Sequence, residues 1–121
     1  PLPAGGYISC YFGDTDPGGR PHYAMDIAIS AGTPIYASND GSVVTATWHS
    51  SYGNYIVLDH GNGKSTLYAH CSGLAVSSGQ SVSKGQVIGY VGSTGYSTGN
   101  HLHFEFRVNG QKVNPANYVS R

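Results

Sequence analysis

Near its C-terminal end the chain reads HLHFEFRV, His101 to Val108. The alternation has no fault: Leu102, Phe104, Phe106 and Val108 take even positions, and His101, His103, Glu105 and Arg107 take odd ones. Successive side chains leave a strand on opposite faces, so a period of two implies a strand with one face against a core. Other segments alternate between turn signals. SVVTATWH follows Asn39-Asp40-Gly41, YIVLDH and STLYAH flank GNGK, QVIGYVGS follows Lys84-Gly85, and HFEFRV meets QKV across Asn109-Gly110. Asn-Gly between alternating segments predicts a tight hairpin, because both central residues must tolerate positive φ. Eighteen glycines leave little room for an apolar helical stripe, and no segment carries one at i, i+3, i+4, i+7. At most a helical turn or two is expected, around NPANYV. The fold class read from this is mainly β, a meandering antiparallel sheet.

A chain of 121 residues fits one compact domain, 1–121, that buries roughly 65% of its unfolded surface. Only 10% of the residues are charged and the formal net charge is zero. No broad positive field exists to gather phosphates, so nucleic acid is not an expected partner. No run of about 18 apolar residues is present, and insertion into a membrane is not expected. The start PLPAGGYISC lacks the features of a signal peptide; the chain reads as a mature product or as a domain cut from a longer secreted protein. Cys10 and Cys71 form no Cys-x-x-Cys pair, which removes zinc-ribbon and thioredoxin readings. An even count favours a disulfide between them, worth roughly 4 kcal/mol in the loop-entropy model and suited to an oxidising, extracellular setting.

In a strand His101 and His103 share a face and can reach one point in space. HYAMD adds His22 and Asp26, and LYAH adds His70 at the end of another alternating segment. Imidazole nitrogen with carboxylate oxygen suits zinc, whose catalytic sites use three protein ligands and keep a fourth position open to water. With four histidines and one aspartate for three positions, some histidines remain to handle protons near neutrality. There is no His-Glu-x-x-His helix, so the missing base must be histidine or Glu105. Glu105 and Arg107 share the histidine face and are read as supporting residues or a cross-strand pair. The run Gly92–Asn100, GSTGYSTGN, precedes the histidines and is a candidate loop beside the site. His49 and His60 read as exposed or structurally bonded, and Trp48 and most tyrosines as packing, with one or two tyrosines lining a groove.

HYAMD, DGSVV, LYAH and HLH, in that order, resemble the lysostaphin-type zinc endopeptidases, also called LytM-like peptidoglycan hydrolases, over most of the chain from YFG to VNPANYV. The resemblance implies His22, Asp26 and His103 as ligands of one zinc ion, and His70 and His101 as catalytic histidines. It implies an antiparallel sandwich or half-barrel with zinc on the floor of a groove walled by loops. It further implies a monomer, extracellular or in the cell wall, that hydrolyses peptide bonds in bacterial peptidoglycan. The D-alanyl link to a diamino acid is the favoured bond, with glycyl-glycine as the alternative. Three other readings differ in kind. A silent relative would bind wall or activate another hydrolase, but such relatives usually lose ligands. An amidase would cut the bond between sugar lactyl group and peptide. A biotinyl or lipoyl carrier would resemble NDGSVV and SGQSVSKGQVIGYV, but needs a tip lysine, commonly beside methionine, and Met25 has no lysine neighbour.

Overall fold

The computed structural model describes residues 7–10, 25–28, 30–92 and 101–115; at Tyr7–Cys10, Met25, Asp26, Ala28 and His101 it describes the backbone alone. Every regular element of more than one residue among them is a strand: β1 Tyr7–Cys10, β2 Met25–Ala28, β3 Pro34–Tyr36, β4 Gly41–His49, β5 Gly53–Gly61, β6 Lys64–Leu74, β7 Ser81–Val82, β8 Val87–Val91, β9 His101–Val108 and β10 Gln111–Val113. All pairings are antiparallel, in the order β1-β2-β9-β6-β5-β4-β7. β10 adds to β9, β8 to β6, and β3 to β8. The sheet curves into a half-barrel.

Both Asn-Gly turns form as the sequence demands. Asn62 and Gly63 have φ of 54° and 76°, Asn109 and Gly110 of 52° and 82°, the double left-handed geometry whose twist matches the flanking strands. The two turns touch, since Asn109 N donates to Gly63 O at 2.7 Å. They therefore set β6 and β9 side by side in one register, Lys64 opposite Val108 through Ala69 opposite His103.

The even residues of β9 enter the core as expected: Leu102 and Phe104 are fully buried and Phe106 nearly so. They pack with Ile27, Ile35, Ile56, Leu58, Tyr68, Ile88 and Val91, each buried apolar side chain contributing about 1.5–3 kcal/mol. Tyr68 lies against Phe104 with ring centroids 5.3 Å apart. Its hydroxyl is satisfied inside the core by Ser38 N and Ser38 Oγ, both at 3.1 Å, and Thr66 Oγ1 at 2.8 Å. His60 extends the chain of bonds to the surface through Thr66 Oγ1 and the Asp40 carbonyl, each at 2.7 Å.

Three sequence expectations change. Strands β1, β2, β3 and β7 were not foreseen; runs of two to four residues are too short to display a period. Trp48 is not packing but 58% exposed, because the outer end of β4 runs past the part of the sheet covered by the core. The Cys10–Cys71 disulfide is also excluded. Cys10 pairs beside Asp26 on β2, β2 pairs with β9, and β9 with β6, which carries Cys71. Three strand spacings of about 4.8 Å separate the two, whereas a bridge needs Cα atoms about 4.4–6.8 Å apart. Cys71 is instead a buried thiol whose Sγ reaches the Tyr68 carbonyl at 3.8 Å; burial pushes it up to about 12. The expected helical turn at NPANYV falls from residue 116 onward outside the described residues, as do residues 93–100 of the glycine-rich run.

Candidate functional site

The central strands bring the chemistry-bearing positions together. Asp26 on β2 stands directly opposite His103 on β9, and Ala69 on β6 stands opposite it on the other side; Ala28 stands opposite His101. Opposed residues of an antiparallel ladder have Cα atoms about 4.5–5.5 Å apart, so Asp26 and His103 are backbone neighbours although 77 positions separate them. His22 lies outside the described residues, and so do the side chains of Asp26 and His101. Among the described residues no three His, Cys, Asp or Glu groups gather round one point.

His70 owes its position to a fault in the ladder. From Ile56 to Asn54 β5 takes two steps, while β6 takes three from Tyr68 to Cys71; the surplus residue is a β-bulge. His70 has φ of 64°, a left-handed conformation uncommon outside glycine and strained for most side chains. Its amide is held by the Tyr52 carbonyl at 2.7 Å. At this same residue β6 changes partner, from β9 up to Ala69 to β8 from Cys71. A bulge re-aims a side chain, and the His70 ring ends edge-on to the His103 ring, centroids 5.8 Å apart. Two strands thus contribute two imidazoles to one place.

The odd face of β9 is no solvated face. Glu105 is 1% exposed and sits in a cage of donors. Its Oε2 accepts from His103 Nε2 at 2.9 Å and from the Tyr52 hydroxyl at 3.0 Å; its Oε1 accepts from Arg107 Nε at 3.0 Å and Nη2 at 2.6 Å. The Lys112 ammonium stands 3.6 Å from Oε2. Burial alone would raise the Glu105 carboxyl, but the hydrogen bonds from His103 and Arg107 and the Lys112 charge outweigh it and hold the group at about 2. Burial likewise works against the Arg107 charge, and the Glu105 carboxylate reverses the balance. Tyr52 is pushed up to about 12, by burial first and then by the negative charge of Glu105. It therefore stays a phenol that can donate.

The sequence reading expected Glu105 and Arg107 in support of the site, and they are, as a pair along one strand rather than across two. Tyr52 was missed. It binds the backbone of His70 with its carbonyl and Glu105 with its hydroxyl, and its ring lies 6.0 Å from that of His103. Nothing local in SYGN marks it, because its partners lie 18, 51 and 53 positions away. His49 and His60 are structural, as expected. His49 Nδ1 accepts from the amides of Ser51 and Tyr52 at 3.0 and 3.2 Å, and His60 serves the Tyr68 network.

Residues 20–115, which include His22, Asp26, His70, His101 and His103, match Peptidase family M23. The peptidoglycan DD-endopeptidase ShyA of Vibrio cholerae is 50% identical over 94 residues, 78% of this chain and 22% of that protein. The chain spans about a fifth of the length of the curated relatives it matches first. Among solved structures, a zinc-containing peptidase from Vibrio cholerae superposes with a TM-score of 0.86 and 36% identity, over 93% of this chain and 37% of that one. The catalytic domain of the antimicrobial peptidase lysostaphin from Staphylococcus simulans does so with 0.85 and 36%, over 93% of this chain and 90% of that one. The chain belongs to Peptidase family M23.

Proposed function

We propose that this member of Peptidase family M23 is a zinc-dependent endopeptidase that hydrolyses peptide bonds in bacterial peptidoglycan, foremost the D-alanyl link to a diamino acid. His22, Asp26 and His103 hold one zinc ion, and His70 and His101 move protons. The observation that carries the reading is the convergence of β2, β9 and β6. Asp26 stands opposite His103 in register, and the bulge at His70 brings a second imidazole against the His103 ring. The donor set fits a borderline cation that takes nitrogen and oxygen, since Glu105 holds His103 at one ring nitrogen and thereby orients the ring. The similarity to ShyA, a peptidoglycan DD-endopeptidase, supports the peptidoglycan substrate and the favoured bond.

When bound, zinc supplies a Lewis acid that polarises a carbonyl and lowers the pKa of water toward about 7. The protein's own groups do the rest. His70 and His101 take the proton of the attacking water as its oxygen joins the scissile carbonyl carbon. They donate N–H bonds to the developing oxyanion, and return a proton to the amine as the C–N bond breaks. His70, only 7% exposed, performs this largely shielded from water, where each hydrogen bond to developing charge counts for more. Action on peptidoglycan puts the site of work outside the cytoplasmic membrane, and a single chain suffices for all five residues.

The test is mass spectrometry of fragments released from purified, directly cross-linked walls and from glycine-bridged walls, each with and without chelator. The reading expects chelator-sensitive release with new amino ends at the direct cross-link. Release only from glycine-bridged walls would move the bond; cleavage between lactyl group and peptide would make the protein an amidase. No release from either wall by protein carrying one equivalent of zinc would overturn the enzymatic reading. Zinc analysis of His103→Ala and His101→Ala checks the division of labour, the first losing metal and the second keeping most of it while losing turnover.

A further inference from the structure

We infer that Glu105 is a positioning residue that fixes the tautomer of His103, its carboxylate holding the Nε2–H form so that Nδ1 is the nitrogen presented to a metal ion. The inference rests on the ligand role proposed for His103, and deepens it to a single atom and its support. A neutral imidazole carries one hydrogen, and whichever nitrogen bonds a pure acceptor must carry it. Glu105 Oε2 lies 2.9 Å from His103 Nε2, and an ionised carboxylate can only accept. The lone pair then belongs to Nδ1.

The carboxylate itself has no freedom to turn. Arg107 grips Oε1 with two N–H groups, and guanidinium has no acceptor. Tyr52 donates to Oε2 beside His103, and Lys112, opposite Arg107 in the β9–β10 register, adds a further positive charge on that oxygen. Glu105 is 1% exposed, so these protein donors, and not bulk solvent, hold its carboxylate. The arrangement orders the side chain before any metal arrives, which lowers the entropic cost of binding. It also makes the identity of residue 105 matter in a way that volume alone would not.

Glu105→Gln is nearly isosteric and reverses the tautomer. The amide has one acceptor oxygen and one donor nitrogen. Arg107 can only donate, so it claims the oxygen; the NH2 group then faces His103 and Tyr52. The Tyr52 hydroxyl rotates to accept, and His103 Nε2 must accept as well, which moves the ring hydrogen to Nδ1. The nitrogen meant for the metal is then protonated, and its affinity falls.

The experiment is nitrogen-detected histidine NMR of the metal-free chain at pH 8, paired with zinc competition against a chromophoric chelator. The wild type is expected as Nε2–H at His103, Glu105→Gln as Nδ1–H, with zinc affinity lower by about 10- to 100-fold. Tyr52→Phe keeps the carboxylate and is expected to keep the Nε2–H form. Wild type in the Nδ1–H form overturns the inference, and needs no variant to fold. So does Glu105→Gln with tautomer and zinc affinity unchanged, or Tyr52→Phe with the tautomer reversed. A wild-type chain that takes up no zinc while showing the Nε2–H form would defeat the metal reading and leave the tautomer assignment standing.

Discussion

Replacing His70 by glycine should leave a more stable protein than replacing it by alanine, against the usual order of those two residues. Both variants lack the imidazole, so every side-chain contribution cancels and the backbone alone separates them. At φ of 64° an L side chain costs roughly 1–2 kcal/mol, and alanine bears that cost while glycine does not. Glycine loses about 0.4–1 kcal/mol more than alanine through the entropy of its unfolded chain. The balance favours His70→Gly by about 0.5–1 kcal/mol, a difference of about 2–4 °C in melting temperature at this size. Ala69→Gly, one residue earlier on β6, should go the other way, losing about 1 kcal/mol. Thermal and urea unfolding of the metal-free variants measure both. A His70→Ala protein equal to or more stable than His70→Gly would show that the bulge holds His70 in an ordinary conformation, and the account of how that side chain is aimed would fail. If the inequality holds, both variants should still be inactive on cell walls, so that stability and function separate at one residue.

Tyr68→Phe should cost about 2–3 kcal/mol by chemical denaturation, because it strands Ser38 and Thr66 inside the core without the hydroxyl they share; a loss under 0.5 kcal/mol would mean that water replaces it. Stability of the metal-free chain should also depend on Glu105 in acid. Its folded value is held at about 2, below its ordinary value of 4.5, so the unfolded chain binds its proton first as pH falls. The contribution is full above about pH 4.5 and disappears as pH falls through about 2. Glu105→Gln should lack this part of the acid slope, and an unchanged slope would remove Glu105 from the explanation.

What could be read in advance was whatever the chain encodes locally. The strand β9 was legible because eight consecutive residues alternate, and its two neighbouring turns because Asn-Gly is required where both residues have positive φ. Asp26 and His70 were legible as candidates by residue type and motif, not by geometry. The bulge at His70 was not, since one surplus residue in an eleven-residue strand leaves no mark on a pattern of period two. The disulfide expectation failed for a related reason. Cysteine count ignores strand order, and β2 and β9 stand between β1 and β6. Tyr52 escaped because its role comes from a carbonyl and a hydroxyl used on two different partners, neither near it in sequence.

That double use links the two imidazoles through one residue. The Tyr52 carbonyl fixes the amide of His70 at the bulge, and its hydroxyl fixes Glu105, which in turn holds His103. With the phenol pushed up to about 12 and the carboxylate held at about 2, this hydroxyl stays a donor to a charged carboxylate between those two values. The two histidines lie on different strands, β6 and β9, and β6 leaves β9 for β8 at the point where they meet. A sheet that parts there would let its two imidazoles drift unless something outside the ladder tied them. Tyr52, at the entrance to β5, supplies that tie, and so the spacing of the His70 and His103 rings is set by a residue that lies outside the pairing of β6 with β9.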